Sequence, residues 1–210
     1  MKTRFFNTGS ISRALLLLIV AGLVVSAWLF RTPSVSDQAI PTGAEAIDRG
    51  RYLVQAGGCI SCHEDDNGTL SGGMGIDSPF GTFYASNITP DPQTGIGGWQ
   101  GSDFLRALKH GRAPNGSFYF PAFPYRAYAG IRDEDVLDIA AYLMSLEPVA
   151  AQPPAHELPG WVGRWQMAGW NLLADMAAPE SAQYDDPQLE RGAYLTRSLG
   201  HCSECHTPRN

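Results

Sequence analysis

The residues with the clearest chemical potential are two short groups of cysteine and histidine. In each group two cysteines are separated by two residues and followed directly by a histidine. This spacing is the attachment signal for c-type haem, because each thiol can add to one vinyl group and the histidine then reaches the iron. We therefore predict two covalently attached haem groups. Their thioether residues are Cys59, Cys62, Cys202 and Cys205, and their proximal iron ligands are His63 and His206.

Two other uses of these cysteines have to be weighed. The four thiols could form one zinc site, and each pair could act as a redox dithiol. However, the two pairs lie some 140 residues apart, far beyond the spacing of compact zinc modules. Neither alternative requires the histidine that follows both pairs. Haem attachment is therefore favoured over zinc and over a redox disulfide.

The charge of the chain is unevenly distributed. Its 210 residues have a formal net charge of −6. Residues 1–31 carry four of the 15 basic residues and no acid, which leaves 11 basic against 21 acidic residues in the remainder. Surfaces that bind nucleic acid are basic, so this acidic remainder argues against nucleic acid as a partner.

An apolar run of 17 residues extends from Ala14 to Phe30. As a helix it would be about 25 Å long, close to the hydrocarbon thickness of a bilayer. A signal peptide cleaved after Val25-Ser26-Ala27 competes with an uncleaved anchor, which the following Arg31 favours. We predict that residues 1–31 form a transmembrane segment in the inner (cytoplasmic) membrane. The basic residues before the run predict a cytoplasmic N-terminus, with the haem domains on the periplasmic side.

Periodicity and turn-forming residues divide the remaining chain into four predicted segments. These are a tether at residues 32–44, a first haem domain at 45–148, a linker with a packing helix at 149–184, and the start of a second haem domain at 185–210. Helices are predicted at 45–56, 102–110 and 132–146, with Ser102 as an N-cap, and at 161–176 in the linker.

The two predicted haem domains begin with the same sequence pattern. Residues 47–53 (IDRGRYL) parallel residues 189–195 (LERGAYL). The arginine of the pattern precedes the first cysteine by ten residues in the first copy and by eleven in the second. This internal repeat predicts one helix-and-motif unit used twice. A haem domain needs more chain to enclose its porphyrin, so we expect residues beyond Asn210 to complete the second domain.

With these features the chain resembles the multihaem cytochrome c subunits that accompany membrane-bound, periplasmic-facing alcohol, aldehyde and related dehydrogenases. The segments that carry the resemblance are 79–91 (PFGTFYASNITPD), 94–99 (TGIGGW), 119–125 (YFPAFPY), 133–136 (DEDV) and 202–210 (CSECHTPRN). The resemblance implies an all-α fold of class I cytochrome c domains with long haem-wrapping loops, here preceded by the predicted transmembrane helix. It also implies haem c as cofactor and electron relay from a dehydrogenase catalytic subunit towards quinone or another downstream acceptor.

The sequence departs from this family at the sixth iron ligand of the first haem. Relatives usually supply a methionine from the loop before the last helix, where this chain has Phe123 and Ile131. Residues 112–131 contain neither methionine nor histidine. The remaining candidates are Met74 and, as a second choice, His110. An open sixth site would support an alternative function, that of a haem sensor or a peroxidase-like enzyme.

Overall fold

The computed structural model of the protein describes residues 8–176 and 184–206. Residues 1–7, 177–183 and 207–210, which belong to the predicted anchor, linker and second haem domain, lie outside the described residues. The elements are α1 (Thr8–Phe30), α2 (Ala44–Ala56), α3 (Cys59–His63), β1 (Gly75–Ser78), β2 (Gly81–Tyr84), α4 (Gly101–His110), α5 (Tyr125–Tyr128), α6 (Asp133–Met144), α7 (Met167–Met176), α8 (Pro187–Tyr194) and α9 (Ser203–His206). Only one sheet, the β1–β2 hairpin, occurs in the described part of the chain. The predicted helical class is therefore confirmed.

The centre of the fold is the crossing of α2 and α6. Gly50 makes the close approach possible, because a methyl group there would overlap the carbonyl oxygen of Asp138 and lie 2.8 Å from Cβ of Tyr142. Arg49 binds the Asp138 carboxylate at two points, through Nε at 2.6 Å and Nη2 at 3.2 Å. Since Asp138 is 5% exposed, this pair aligns the two helices at the edge of the core.

Helix α4 packs against α6 and completes the core. It starts earlier than predicted: the backbone N–H of Gln100 donates to the Asp103 carboxylate at 2.9 Å, and Ser102 is already inside the first turn. The helix ends at Gly111, whose φ of 60° suits glycine. One cluster of buried side chains consists of Leu53, Val54, Leu70, Ile96, Phe104, Leu105, Tyr128, Ile131, Val136, Ile139, Ala140, Leu143 and Leu199.

Two segments predicted as connections pack against this core. In the tether, Val35 and Ile40 contact the buried cluster. In the linker, Glu157 exchanges two backbone hydrogen bonds with Thr82, at 3.1 and 2.9 Å, and so adds a bridge to β2. Both segments are therefore part of the folded unit.

The second copy of the repeat follows the local path of the first with one added residue. Helix α8 is capped at its N-terminus by Asp186, whose carboxylate accepts the Gln188 N–H at 2.7 Å. A π-helical turn, Leu195–Leu199, follows, and the Gly200 N–H donates to the Leu195 carbonyl at 2.7 Å. A π turn holds more residues than an α turn. It therefore accounts for the spacing of eleven instead of ten before the first cysteine.

The end of α1 is attached to the helical core through Arg112. Its guanidinium is buried, donates to the carbonyls of Leu29 at 3.3 Å and Arg31 at 2.9 Å, and lies over the ring of Phe118. Such donors satisfy carbonyls that a helix end leaves unpaired. Across residues 8–176 and 184–206, no helix combines the length and apolarity needed to cross a membrane, so the predicted transmembrane helix is not supported.

Candidate haem-binding site

The first motif forms a short helix of its own. Helix α3 starts directly after Gly58, whose φ of 70° turns the chain sharply between α2 and the motif. Cys59 and Cys62 are three residues apart in this helix, which brings their side chains to one face. Neither is in a disulfide, and both are partly buried. Both sulfur atoms can therefore bond to the same ligand.

The chemistry of these thiols does not fit the two alternatives. Burial raises the pKa of Cys59 to about 12 and also raises the pKa of Cys62, so both remain protonated at neutral pH. A redox dithiol needs a lowered pKa instead. No group of three or more histidine, cysteine, aspartate or glutamate side chains suited to a metal ion occurs among the described residues, so the zinc site is not supported either.

The ring of His63 is oriented by a hydrogen bond to the backbone. Its Nδ1 lies 2.7 Å from the carbonyl oxygen of Ser86, and because a carbonyl only accepts, Nδ1 carries the proton. Burial lowers the pKa of His63, although the bond to Ser86 opposes this, and the imidazole is therefore neutral. Nε2 keeps its lone pair free for a metal, and partners of this kind increase ligand basicity.

Ser86 is held in place by the loop that leaves the motif. The Gly72 N–H donates to the His63 carbonyl at 2.8 Å, and the Gly73 N–H donates to the Ala85 carbonyl at 2.9 Å. Gly72 has a φ of 78°, and a methyl group there would lie only 2.5 Å from the backbone of Ala85 and Ser86. A glycine is therefore needed at position 72, where this part of the loop approaches the backbone of Ala85 and Ser86 beside His63.

A buried polar network anchors the residues that follow Ser86. The side chain of Asn87 donates to the carbonyls of Val149 at 2.8 Å and Ala151 at 3.3 Å. Its oxygen accepts from the N–H of Thr89 at 2.9 Å and from the Thr89 hydroxyl at 2.7 Å. Asn87 is 3% exposed. The Asn-Ile-Thr-Pro-Asp segment therefore ties the loop beside His63 to the chain that leaves α6.

A second turn secures the start of the same loop. The carboxylate of Asp65 accepts from the Thr69 N–H at 2.8 Å, the Asn67 N–H at 3.0 Å and the Ser71 hydroxyl at 3.0 Å. These hydrogen bonds, with that from the Thr69 backbone strongest, lower the pKa of Asp65 to about 2. The turn directly after His63 therefore depends on an ionised carboxylate.

The positions that would supply a sixth ligand in relatives are apolar here and lie in the core. Ile131 is 1% exposed, and Phe123 packs against the same cluster as Cys59. Met74 is 49% exposed, and its carbonyl accepts from the Ala85 N–H next to Ser86. The Met74 backbone therefore lies beside the segment whose Ser86 carbonyl orients His63.

His110 lies at the exposed end of α4. It lines a groove together with Trp28 and Asn171, and burial lowers its pKa. Met74 and His110 stay predictions as sixth ligands. Loss of a long-wavelength sulfur–iron absorption band in Met74→Leu would identify Met74 as the ligand.

The second motif lies beside the first. Leu199, just before it, is 1% exposed and belongs to the core cluster that contains Leu53. Cys202, Cys205 and His206 follow in α9 and are all exposed. The structure therefore brings the two predicted attachment sites together on one face of the core.

Three residues near the motifs were not predicted from the sequence to have a role there. Ser86 contributes a backbone carbonyl, so its side chain carries no signal. Tyr128 and His201 lie at the contact between the two motifs, which only the tertiary structure reveals. The sequence signal nearest to Ser86 was the Asn-Ile-Thr-Pro-Asp segment that follows it, because this segment forms a fixed loop.

The residues around the first motif fit a covalently bound haem. They offer two protonated thiols one turn apart, a neutral imidazole with a free Nε2, and partly buried apolar groups such as Ile60, Trp99 and Phe123 packed on the core. Haem c matches this donor set, because its vinyl groups take the thiols and its iron takes the imidazole.

Comparisons with known proteins agree with this site. The family model described as "Cytochrome c" matches residues 47–147. A "Diheme cytochrome c-type" protein of Cereibacter sphaeroides is 42% identical over 96% of this chain and 70% of its own length. The "Gluconate 2-dehydrogenase cytochrome c subunit" of Pantoea cypripedii is 43% identical over 78% of this chain and 38% of its own length.

The "Alcohol dehydrogenase (quinone), cytochrome c subunit" of Gluconobacter oxydans is 39% identical over 78% of this chain and 35% of its own length. The chain thus spans less than half of the length of these two dehydrogenase subunits. These matches confirm the predicted resemblance and the predicted haem c. This chain belongs to the cytochrome c family, among members that include diheme cytochromes and the cytochrome c subunits of dehydrogenases.

Proposed function

We propose that this protein relays electrons from the catalytic subunit of a dehydrogenase to quinone or another downstream acceptor. The observation that carries the proposal is the pair of adjacent attachment motifs, the first of which has a proximal histidine already oriented by Ser86. Two haem groups on one face of a small core suit a relay, because electrons can enter at one and leave at the other.

Haem c, when bound, supplies a one-electron couple at its iron. The residues of this chain hold and orient it. Cys59 and Cys62 provide two covalent attachments, and the bond from His63 to Ser86 keeps Nε2 directed at one position. Phe123 and Ile131 offer no donor atoms and keep water away from the core beside the motif. This arrangement suits the binding and orientation of the cofactor.

The names of the relatives support a dehydrogenase as the partner. Those proteins are named as subunits of gluconate, alcohol, fructose and nicotinate dehydrogenases. None is named as a sensor or a peroxidase, so they do not favour the alternative function. The catalytic partner and the quinone acceptor of this chain are proposals drawn from those names.

We place the haem-bearing part on the periplasmic side of the inner membrane, with the N-terminal segment as the attachment to that membrane. Support comes from the four basic residues within residues 1–31 and from the exposed apolar side chains of α1, including Leu17, Leu18 and Leu23. Covalent haem attachment outside the cytoplasm agrees with this location.

Electron relay is tested with purified holoprotein. The protein is reduced with dithionite, freed of excess reductant and mixed anaerobically with a short-chain ubiquinone. We expect the absorption bands of reduced haem to disappear, and we expect no sustained consumption of hydrogen peroxide. Reduced haem that persists with the quinone, or rapid peroxide turnover, would contradict the proposal.

The dehydrogenase partner is tested in membranes of cells that lack this gene. Membranes are supplied in turn with gluconate, ethanol, fructose and nicotinate, and quinone-linked oxidation is measured. The wild-type gene is expected to restore oxidation of one substrate, whereas the double variant Cys59→Ala/Cys62→Ala is expected to fail. Restoration by that variant would show that the first haem is dispensable.

The location is tested by fractionation and by a reporter. Alkaline phosphatase fused after Leu146 is expected to be active, because that enzyme folds outside the cytoplasm. Full-length protein is expected to stay with the membrane during alkaline extraction, while a variant in which residues 1–31 are replaced by a cleavable signal peptide is released. An inactive fusion, or release of both proteins, would contradict this location or this attachment.

A further inference from the structure

The chain segments that lead into the two motifs are in direct contact. A methyl group at Gly57 would lie 3.3 Å from Cδ1 of Leu199, and one at Gly200 would lie 3.7 Å from the carbonyl oxygen of Ala56. The side chain of Leu199 is almost completely buried in the core that α2 and α6 form. The residues that precede the second motif, Leu199 and Gly200, therefore pack against the residues that precede the first motif.

The residue before the first cysteine has a left-handed conformation in both copies. In the first copy this residue is Gly58, with a φ of 70°, and in the second it is His201, with a φ of 38°. His201 is the only residue other than glycine with a positive φ in the described part of the chain. A histidine in this region is strained, and such strain persists only where surrounding contacts hold it.

Nδ1 of His201 lies 3.7 Å from a carboxylate oxygen of Glu204 in the second motif, and the other side of the ring faces the residues around the first motif. A methyl group at Gly58 would be 3.6 Å from Nε2 of His201, so the imidazole reaches the turn that precedes Cys59. The ring of His201 also meets the ring of Tyr128 edge to face, with centroids 5.6 Å apart and planes at 79°. Such aromatic pairs are favourable when one ring edge faces the other ring.

Tyr128 connects this contact to the end of α2. It is 5% exposed, and its hydroxyl donates to the Gly57 carbonyl at 2.6 Å. Gly57 is the C-cap residue of α2, at the helix end where carbonyl groups are left unpaired. Tyr128 therefore touches the chain before the first motif with its hydroxyl and the chain before the second motif with its ring.

We propose that Tyr128 and His201 are positioning residues that clamp the two haem-attachment motifs against each other, so that the chain carries its two haem groups as one coupled pair. The proposal rests on the relay function above and adds what sets the spacing of its two centres. Neither residue is a ligand in this proposal, because both act on the backbone that leads into the cysteines.

The clamp is tested with holoprotein variants by circular dichroism in the Soret region, where a close pair of haem groups gives a bisignate signal. His201→Gly keeps the left-handed backbone and removes only the ring. We expect it to retain two covalent haem groups per chain and to lose the bisignate signal. His201→Asn, which also tolerates this backbone, serves if the glycine variant fails to fold, and it is expected to show the same loss.

Tyr128→Phe keeps the ring and removes the hydroxyl, so we expect a weakened signal. Tyr52→Phe is the matched control, because Tyr52 is a half-exposed tyrosine of α2, and its signal is expected to equal that of wild type. A wild-type protein without a bisignate signal, or an unchanged signal in His201→Gly and His201→Asn, would overturn the clamp.

The two proposals fail separately. A bisignate signal that depends on His201, in a protein whose reduced haem does not react with quinone, would leave the clamp standing and remove the relay. If quinone oxidises the reduced haem but the bisignate Soret signal is unchanged in the His201 variants, the clamp is contradicted and the relay function is not.

Discussion

The two copies of the repeat make the same local structure in different surroundings. In the first copy the glycine of the shared pattern, Gly50, is pressed against α6, whereas an added methyl group at Gly192 of the second copy would meet nothing within 4 Å. The preceding arginines differ in the same way. Arg49 binds the buried Asp138, and Arg191 lies over the ring of Tyr194 within its own helix. A sequence pattern can therefore specify a helix and a motif, while the packing partner decides which residues are constrained.

The proximal histidines show the same contrast. His63 donates to the Ser86 carbonyl, and the loop behind it is fixed by Asn87 and Asp65. His206 is exposed at the end of α9. The attachment motif itself thus provides the ligand atom, but the groups that orient the ligand come from chain far away in sequence.

The largest expected effect is the loss of stability when the crossing of α2 and α6 in the first copy is disrupted. Gly50→Ala places a methyl group on the backbone of Asp138, which cannot move without separating α2 from α6. We expect a loss of about 3 kcal/mol or more in the free energy of unfolding. Denaturant titration followed by far-ultraviolet circular dichroism measures it. A loss below about 1 kcal/mol would show that the crossing is not tightly packed.

The second prediction concerns the network behind His63. Asn87→Ala leaves the buried N–H of Thr89 without its acceptor and removes the amide donor to the carbonyls of Val149 and Ala151, and we expect a loss of about 2 to 3 kcal/mol in the free energy of unfolding. The visible spectrum is expected to change for the first haem more than for the second, because the loop that carries Ser86 loosens. Asn115→Ala, at an exposed turn, is the control and should change stability by less than about 1 kcal/mol. Equal losses in the two variants would contradict the role of the network.

The third prediction makes the matched change in the second copy. Gly192→Ala adds a helix-favouring residue at an open position of α8, so we expect stability to rise by up to about 1 kcal/mol. The same denaturant titration checks it. A loss comparable to that of Gly50→Ala would mean that another surface covers α8, and the contrast between the copies would disappear.

The smallest expected effect is a pH dependence confined to the first copy. The hydrogen bonds from Thr69, Ser71 and Asn67 lower the pKa of Asp65 from 3.8 to about 2. The stabilisation by its ionised form is therefore complete above pH 3.8 and is lost as the pH falls towards 2. We expect Asp65→Asn to be less stable than wild type near neutral pH and to converge with it towards pH 2. The effect is small because the carboxylate lies at the surface.

Asp66→Asn is the matched control for this pH dependence, because Asp66 is exposed on the neighbouring position of the same turn. Thermal unfolding between pH 2 and 6 compares the two variants. A constant difference between Asp65→Asn and wild type across that range would contradict the role of the ionised carboxylate.

The helices of the first copy could be predicted because their apolar spacing is regular. A helix was predicted at 132–146, and the apolar residues spaced along one face of it, Val136, Ile139, Ala140 and Leu143, are all buried in α6. The N-cap of α4 was predicted two residues too late. Serine is a good N-cap by type, but here the Asp103 carboxylate accepts from the N–H of Gln100, which takes the N-cap position. Local preference indicated the helix and missed the residue that starts it.

The loops could not be predicted, because their partners are distant in sequence. Asn87 meets Val149 across 62 positions, and Thr82 pairs with Glu157 across the fold. The β1–β2 hairpin was not predicted, because each of its strands has only four residues and neither shows a clear alternation of apolar and polar residues. The role of His201 could not be predicted for a further reason: its left-handed backbone depends on contacts with Tyr128 and with the turn before Cys59, which are distant in sequence.

The π-helical turn at Leu195–Leu199 has a consequence for how copies of this unit are recognised. In a regular α-helix one inserted residue rotates everything after it by about 100°. Here the widened turn absorbs the insertion within five residues. An alignment that matches Arg49 with Arg191 and permits no gap would set His201 opposite Cys59 and destroy the motif. Searches for additional units in longer relatives should therefore allow a one-residue insertion between the helix and its first cysteine.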